Sequence, residues 1–402
     1  MEREELAAWL RLTLTPKVGN DAARKLLAAF GLPHALFDQS PTALAQVVNQ
    51  AQAAQLRIEP PTLAAQLETT WRWLNGEDSV QGEGNRANPE ARGERAGQRR
   101  IVVLGDADYP SSLLHMADPP IMLYLLGAAS ACDGISTVPS TCIAIVGTRN
   151  PTPQGLGNAR QFARALCESG LTVVSGMALG IDGAAHEGAL AGLGKGSTPN
   201  LATVAVVGTG LDRVYPKSHR NLAHAIAQHG LIISEYPLGT PPLVSNFPKR
   251  NRIIAGLAQG TLVVEAALKS GSLITARLSA EQGKEVFAIP GSIHSAQSRG
   301  CHALIRQGAK LVETAQDILE ELKFDFAINL ISSNDHHTRA VGINDAENTL
   351  LQAFGFDPVS LDALQARTGI DTASLQAQLM VLELDGHVGR LPGGMFQRMA
   401  NA

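Results

Sequence analysis

Hydrophobic and polar positions alternate in two different ways along the chain. In residues 1–75, apolar residues recur at helical spacing, as at Leu6, Trp9, Leu10 and Leu14, which predicts a helical domain. From residue 101 the pattern changes to short, β-branched apolar runs that are bounded by glycine and separated by segments long enough for a helix.

The apolar runs in residues 101–323 predict strands. They lie at 101–104, 121–124, 142–147, 171–176, 204–208, 231–234, 262–265, 286–291 and 310–312. Buried strands that alternate with crossover helices are typical of a mostly parallel sheet that is covered on both faces. We therefore predict an α/β core over this range.

Two segments of different composition divide the chain further. Residues 76–100 are rich in glycine and charge and contain one large aliphatic residue, Val80, so we predict a disordered linker. Residues 324–346 are polar and irregular, which indicates a second linker. In residues 347–402, three short predicted helices precede a hairpin with a glycine turn, a pattern typical of a winged helix.

Composition excludes several classes of protein. Aromatic residues make up only 4%, so a sheet of many base-stacking rings is not expected, and the net charge of −4 requires any nucleic-acid site to be a local basic patch. The four cysteines lack metal-site spacing, and the acidic N-terminus lacks a signal-peptide core. We expect a cytoplasmic protein without membrane insertion, metal or cofactor.

Short, glycine-containing sequences follow three of the predicted strands. Because ligands of doubly wound sheets bind beyond the carboxyl ends of the strands, such turns are candidates for holding an anion through backbone N–H groups. The candidate residues in these turns are Gly147, Thr148, Ser175, Gly176 and Gly208. Three such turns at one edge indicate a ligand that carries phosphate.

Cations lie at the same predicted edge. Arg149 follows the first of these strands, Lys217 the third, and Lys249, Arg250 and Arg252 precede a helix predicted over 253–259. Cations at a helix N-terminus oppose the macrodipole, which favours an anionic partner at this position. The neighbouring ring of Phe247 is expected to be a buried wedge, with stacking on a base as the alternative.

Known catalytic motifs do not fit the sequence. The segment 194–198 lacks the residues of a phosphate-binding P-loop, which argues against ATPase activity. Asp182 and His186 share one helix face, but no nucleophile is evident beside them. We interpret the pair as a carboxylate at a helix start and a hydrogen-bonded imidazole.

Taken together, the glycine-rich and basic segments resemble the DNA-processing protein A (DprA/Smf) family. The matching segments lie between residues 106 and 322: 147–149, 175–182, 247–256, 270–276 and 290–292. The resemblance implies an extended Rossmann-like core, an N-terminal domain similar to SAM or helix-hairpin-helix modules, and a C-terminal winged helix. It places phosphate-pocket cations at Arg149 and Lys249, and it adds Asn251 and Ser272 to the candidate residues.

The family resemblance also implies a function. It predicts a non-enzymatic protein that binds and protects single-stranded DNA and helps to load the RecA recombinase during natural transformation. It further implies a homodimer, for which the sequence offers Leu304, Ile305 and Leu311 as contacts.

Two other hypotheses stay open at this point. One is an enzyme similar to phosphoribohydrolases that acts on a nucleotide-type phosphate ligand. The other is a transcription regulator that uses its winged helix. The predicted recognition helix, 374–385, is acidic, which argues against binding in the major groove, and we expect the winged helix to be dispensable for single-strand binding.

Overall fold

The computed structural model of the chain describes residues 1–77, 97–128, 138–139, 141–194, 201–323, 350–351, 353–354, 358–391 and 393–398. Residues 78–96 of the linker predicted over 76–100, and the whole linker predicted over 324–346, lie outside these ranges. Residues 98–100 belong to a strand, so the prediction of disorder is wrong there. Among the described helices, none combines the length and the apolar character needed to cross a membrane.

A helical domain forms the N-terminal part, as the apolar spacing predicts. Its helices are α1 (Arg3–Leu14), α2 (Asn20–Phe30), α3 (Pro33–Phe37), α4 (Pro41–Val47), α5 (Gln50–Leu56) and α6 (Leu63–Leu74). Local sequence sets several of their starts. Ser40 accepts the N–H of Ala43, and Asn49 with Gln52 forms a capping box.

Within the described ranges, nine strands form one sheet. They are β1 (Gln98–Val103), β2 (Met122–Gly127), β3 (Cys142–Val146), β4 (Thr172–Ser175), β5 (Thr203–Val206), β6 (Leu231–Ser234), β7 (Gly260–Val263), β8 (Glu285–Ala288) and β9 (Lys310–Leu311). Their order is β1-β2-β6-β5-β4-β3-β7-β8-β9. The pairs β1–β2 and β2–β6 are antiparallel and the others are parallel, which confirms the mostly parallel α/β sheet.

Helices cover both faces of this sheet. They are α7 (Pro153–Glu168), α8 (Ile181–Ala191), α9 (Arg220–His229), α10 (Asn246–Leu257), α11 (Ser272–Glu281), α12 (Arg299–Arg306) and α13 (Ala315–Glu321). On one face, Ile253 and Cys301 pack with alternate residues of β3, and on the other Phe162 and Ile318 pack with the remaining ones. The carboxyl ends of the parallel strands are left at one open edge.

The start of α10 differs from the sequence prediction. We expected a helix over 253–259 with the basic cluster before it, but α10 begins at Asn246. Pro248 marks no break, because proline is tolerated in the first turn of a helix, where N–H groups lack intrahelical partners. Lys249, Arg250 and Arg252 therefore lie within the helix and point to different sides of it.

The helical domain packs on the antiparallel extension of the sheet. The Trp73 and Tyr124 rings meet edge to face with centroids 6.1 Å apart, and Ile101 belongs to the same hydrophobic cluster as the N-terminal helices. A guanidinium N–H of Arg24 donates to Asp118 at 2.6 Å. The helical domain thus covers apolar sheet surface that would otherwise be exposed.

A winged-helix unit forms the C-terminal part. Its described elements are β10 (Val359–Ser360), α14 (Leu361–Thr368), α15 (Thr372–Leu384), β11 (Val388–Leu391) and β12 (Met395–Arg398), and it has a hydrophobic cluster of its own. The recognition helix α15 contains no lysine or arginine and exposes Met380 and Leu384.

Candidate phosphate-binding cleft

The glycine-rich turns meet where β3, β4 and β7 end. The Thr148 N–H donates to the Glu265 carbonyl at 2.7 Å, and the Thr148 carbonyl accepts the Ile181 N–H at 3.2 Å. Gly180 has a φ of +80°, a conformation that glycine adopts without strain. These bonds hold the first two turns side by side at the open edge of the sheet.

A cleft of about 500 Å³ opens between these turns and the starts of α10 and α11. Five of the residues predicted from the sequence line it: Gly147, Arg149, Arg250, Asn251 and Ser272. Asp182, Tyr215 and Thr275 also line the cleft and had not been assigned to a ligand site.

Arg250 forms the buried cationic wall of the cleft. Its side chain is 4% exposed, and its Nε and Nη1 atoms have no hydrogen-bond partner. Gly176 lies directly against it, because a Cβ atom at this position would overlap the guanidinium. Buried donors are costly when unsatisfied, so Arg250 is suited to receive an anion in the cleft.

Asp182 is the acidic counterpart of Arg250. Its Oδ2 atom lies 4.0 Å from Arg250 Nη1, beyond hydrogen-bond distance. Burial raises the pKa of the Asp182 carboxyl above its ordinary value, and the charge of Arg250 opposes that shift. The aspartate therefore only partly offsets the positive charge of the cleft.

His186 lies on α8, one turn after Asp182. Its ring is fully buried, and its Nδ1 lies 2.7 Å from Thr203 Oγ1, whose own proton goes to the Val173 carbonyl. Nδ1 is therefore the donor. Burial, with smaller contributions from His219 and Arg250, lowers the pKa of His186 to about 3. The neutral, hydrogen-bonded imidazole agrees with the structural interpretation of this residue.

Two aromatic rings and a cation form the rim. The rings of Tyr215 and Phe247 lie 5.6 Å apart with a tilt of 34°, and the Arg149 guanidinium lies 5.5 Å from the Phe247 ring centre. Phe247 is partly exposed and Tyr215 is 44% exposed, so the buried-wedge prediction for Phe247 is wrong. Tyr215 could have been predicted as a site residue, because the chain has few aromatic residues and this one lies two positions before the candidate cation Lys217.

The start of α11 faces the cleft. The hydroxyls of Ser270 and Ser272 are 2.7 Å apart, and the Asn251 side-chain amide donates to the Gly271 carbonyl at 3.3 Å. A Cβ atom on Gly271 would meet nothing within 4 Å. The space beside Gly271 is therefore open, while the first N–H groups of α11 bond to neutral oxygens of Ser270 and Gly271. No carboxylate offsets this helix N-terminus, which favours negative charge.

The start of α7 is different, because a carboxylate of the protein already occupies it. Glu265 Oε2 accepts the Thr152 N–H at 2.9 Å, and Oε1 lies 2.5 Å from Thr152 Oγ1. We expected the first turn to offer its N–H groups to an external anion. Glu265 lies at the end of a predicted strand, where nothing in its sequence context distinguished it.

Two predicted cations lie on the other side of α10. Lys249 and Arg252 line a second depression, between the core and the helical domain. Arg252 is paired with the Glu235 carboxylate and has its Nε 3.4 Å from Asp118. Successive helical residues are separated by about 100°, so Arg250 and Arg252 point in nearly opposite directions.

The remaining predicted residues have separate places. The buried hydroxyl of Ser175 donates to the Ile145 carbonyl at 2.6 Å, a structural role. Gly208 lies against the Phe247 ring, since a Cβ there would be 3.3 Å from Cδ1. Lys217 is exposed at the start of a short 3-10 helix.

The residues predicted for dimer contacts lie at the β9 edge of the sheet. Leu304 and Ile305 pack partly against the main core, whereas Leu311 is 49% exposed and its neighbour Leu268 is 57% exposed. Leu268, Ile305 and Leu311 line one shallow depression. Apolar surface at an edge strand is suited to association with another chain.

Comparison with known proteins shows that the α/β core and the C-terminal unit each match a family model. Residues 100–323 match the family model described as DNA recombination-mediator protein A, and residues 337–394 match the DprA winged helix domain. The chain is 41% identical to the protein Smf of Escherichia coli over 293 residues, which are 71% of this chain and 74% of that protein.

A second relative is also represented by a solved structure. The DNA processing protein DprA of Streptococcus pneumoniae is 44% identical over 219 residues, which are 54% of this chain and 73% of the relative. An X-ray structure of DprA from this organism aligns with a TM-score of 0.57 and 32% identity, and it covers 80% of this chain and 98% of that one.

Proposed function

Since this chain belongs to the DNA recombination-mediator protein A family, we propose that it binds single-stranded DNA in the cleft between α10 and α11. The observation that carries the proposal is Arg250, a buried cation whose Nε and Nη1 lack hydrogen-bond partners and which lines an open cleft. A phosphodiester bound in the cleft would place a negative charge beside a guanidinium that the protein itself satisfies only in part.

The proposed contacts divide between phosphate and base. Arg250, Arg149 and the N-terminus of α11 with Ser272 hold the backbone phosphates. The rings of Phe247 and Tyr215 offer a small stacking surface for a base. Phosphate contacts and stacking do not distinguish bases, so we expect little sequence preference.

A salt titration tests this function. Fluorescence anisotropy with labelled oligo-dT should show binding that weakens as salt rises, with log affinity against log salt falling by about 0.7 for each phosphate contact. Replacing Arg149 with alanine should flatten the slope by about one contact. Arg277→Ala is the matched control, because this arginine is exposed on α11 and paired with Glu281. Absent or salt-independent binding of the unchanged protein would contradict the proposal.

We further propose that the protein is not an enzyme. The alternative, a phosphoribohydrolase-like activity, requires the cleft to turn over a nucleotide. Incubation of the pure protein with nucleoside monophosphates, followed by chromatography of the bases released, tests this directly. Turnover that Arg250→Gln abolishes would establish the enzyme instead.

The apolar β9 edge supports a homodimer. We propose that Leu311, Ile305 and Leu268 of two copies meet there, with Leu304 supporting them from the core. Light scattering should give twice the chain mass at micromolar concentration, and Leu311→Lys should give a monomer. Leu32→Lys is the control, because Leu32 is 52% exposed in the helical domain. A monomeric unchanged protein would refute the dimer.

The family relation supports a role in recombination. We propose that the protein protects incoming single strands during natural transformation and passes them to the RecA recombinase. A nuclease-protection assay tests the first step. The second predicts faster assembly of RecA on single strands that are already covered by a single-strand binding protein. If the protein does not change that rate, the mediator role fails while DNA binding stands.

A further inference from the structure

Asp182 is a buried carboxyl group that lines the proposed DNA cleft. It is the second residue of α8, its side chain is 11% exposed, and its Oδ2 atom accepts the Ala178 N–H at 3.4 Å. Arg250 lines the same cleft, and its Nη1 atom lies 4.0 Å from Asp182 Oδ2. The cleft therefore presents an acidic group beside the cation that is proposed to receive a phosphate.

A phosphate that reaches Arg250 also approaches Asp182. A hydrogen bond to the guanidinium is about 3 Å long, so an oxygen bonded to any of its nitrogens lies within roughly 10 Å of Asp182 Oδ2. Salt screens buried charges at this distance only weakly, and a like charge nearby disfavours the ionised form of a carboxyl group. An ionised Asp182 thus opposes the ligand that Arg250 attracts.

Several groups of the protein set the charge of Asp182. Burial disfavours the ionised form and raises the pKa of the carboxyl group above its ordinary value. Arg250 on α10 is the largest opposing influence, followed by the Ala178 N–H, Arg149 after β3 and the Gly176 N–H. A phosphate would offset the positive charge of the two arginines and add a negative charge of its own. Both changes favour a proton on Asp182.

The other titratable groups around α8 are placed differently. His186 has a pKa of about 3 because it is buried, so it stays neutral near neutral pH. The His219 ring, just before α9, lies against Gly183, and Glu187 is paired with Arg160 of α7. None of these side chains is among the described residues that line the cleft. A phosphate in the cleft therefore meets the carboxyl group of α8 rather than its imidazoles.

We propose that Asp182 takes up a proton from the solvent when a DNA strand binds, so that the cleft binds single-stranded DNA more tightly as the pH falls. The inference rests on the proposed function and assigns a proton-linked regulation to the same site. Because the bound protein then holds more protons than the free protein, a lower pH shifts the equilibrium towards the bound form. For one proton, affinity rises at most about tenfold for each unit of pH.

Calorimetry counts these protons directly. Oligo-dT is the probe, because thymine and phosphodiesters do not titrate near neutral pH. Its binding is measured at several pH values in two buffers that differ in ionisation enthalpy, since the difference in heat gives the number of protons taken up. The unchanged protein should take up a fraction of a proton, and it should bind more tightly as the pH falls from about 8 to about 5.

The variant Asp182→Asn removes the charge but keeps an acceptor for the Ala178 N–H. Proton uptake should disappear, and at about pH 8 the variant should bind oligo-dT about tenfold more tightly, the equivalent of one pKa unit. Equal proton uptake in the unchanged protein and in Asp182→Asn would overturn the inference. So would zero uptake by the unchanged protein at every pH of the series.

Two controls separate Asp182 from other titratable groups. Glu285→Gln changes the net charge equally at an exposed position, at the start of β8 and thus at the opposite edge of the sheet from the cleft. His219→Asn removes the partly exposed imidazole beside α8. Both variants should keep the proton uptake of the unchanged protein. Loss of the uptake in His219→Asn would assign the proton to that ring and refute the inference.

The outcomes keep the inference apart from the proposed function. If oligo-dT binds without proton uptake, only the inference fails, whereas both fail if oligo-dT does not bind at all. Thermal melting establishes whether Asp182→Asn is folded. If it is not, difference infrared spectroscopy of the unchanged protein with and without oligo-dT decides the question. A new carboxylic-acid band on binding supports the inference, and its absence refutes it.

Discussion

The two sides of α10 carry the same kind of residue in opposite states. On the cleft side, Arg250 lies 4.0 Å from Asp182 and keeps two donors without partners. On the side of the helical domain, Arg252 is paired with Glu235 and approaches Asp118, and only its Nη1 atom lacks a hydrogen-bond partner. Both arginines are largely buried, so burial does not distinguish them. What differs is whether the protein itself provides a well-placed anion.

This difference separates a binding cation from a structural one. An arginine that is in direct contact with a carboxylate stabilises the fold and has little charge left for a ligand, whereas a buried arginine without such a contact gains more from an added anion. The helix starts differ in a similar way, since the Glu265 carboxylate bonds to the start of α7 whereas the first N–H groups of α11 bond only to neutral oxygens. We therefore propose that the DNA lies on one side of α10 only.

Removing the ion pair between Arg252 and Glu235 should have the largest effect, a loss of stability. Arg252→Met leaves the Glu235 carboxylate buried without its partner, and loss of one member of such a pair costs about 3 kcal/mol. Chemical denaturation should show this loss, while the folded variant should bind oligo-dT as the unchanged protein does. A large loss of DNA affinity in folded Arg252→Met would show that the two sides are not separate.

Removing the charge of Arg250 should weaken the binding of oligo-dT instead. Arg250→Gln removes the charge and most of the donors, and a hydrogen bond to a charged group contributes about 2 kcal/mol, so oligo-dT affinity should fall about thirtyfold. Arg250→Lys should recover part of it. Anisotropy measures both variants, and an unchanged affinity in Arg250→Gln would place the DNA elsewhere.

The pH dependence of stability tests the buried imidazole of His186. His186 has a pKa of about 3 in the folded state, below its ordinary value near 6.5, so folding excludes the proton. The contribution of His186 to the free energy of unfolding is constant above about pH 6.5. It decreases as the pH falls towards 3, and the loss between pH 7 and pH 5 is about 2 kcal/mol. Denaturation of His186→Asn should show a flatter dependence over this window. Parallel curves for both proteins would contradict the shift.

A smaller effect distinguishes Arg149 from Lys249. The family resemblance assigns both to the phosphate pocket, but only Arg149 lines the cleft. Lys249→Ala should change the salt dependence of oligo-dT binding by less than the 0.7 expected for Arg149→Ala. An equal change in slope would mean that the DNA path crosses α10.

The smallest effect is expected for the winged helix. The described part of α15 has no lysine or arginine, so removal of residues after 345 should leave oligo-dT affinity nearly unchanged. Anisotropy with the truncated chain measures this. A loss of affinity would assign part of the DNA-binding surface to the C-terminal unit.

Most strand positions could be predicted from the sequence because the strands contain apolar runs. The start of β1 could not, because Gln98, Arg99 and Arg100 are polar and resemble the predicted linker before them. The start of α10 could not, since the polar residues Asn246, Lys249 and Asn251 give no helical periodicity and Pro248 suggests a break. Because of the wrong helix start, Arg250 and Arg252 were assigned to one cluster before a helix. Helical geometry instead places them on opposite sides of α10.

The sequence also could not show which cations and helix starts are already paired with carboxylates of the protein, because those carboxylates lie elsewhere in the chain. Glu235 precedes Arg252 by 17 residues, and Asp118 lies much further away in sequence, as does Glu265 from the helix start that it occupies. Charge counts along the chain cannot show which cation is neutralised. The glycine-rich turns correctly indicated the edge of the sheet, but not which of its helix starts was open.

Gly176 illustrates how strongly one position can be constrained without contacting a ligand. Any side chain there would overlap the Arg250 guanidinium, so even alanine would have to push that arginine aside. In a survey of all single substitutions, position 176 should therefore tolerate as little change as position 250 itself. A lineage could lose or redirect DNA binding by gaining one methyl group, with every cation still encoded in its gene.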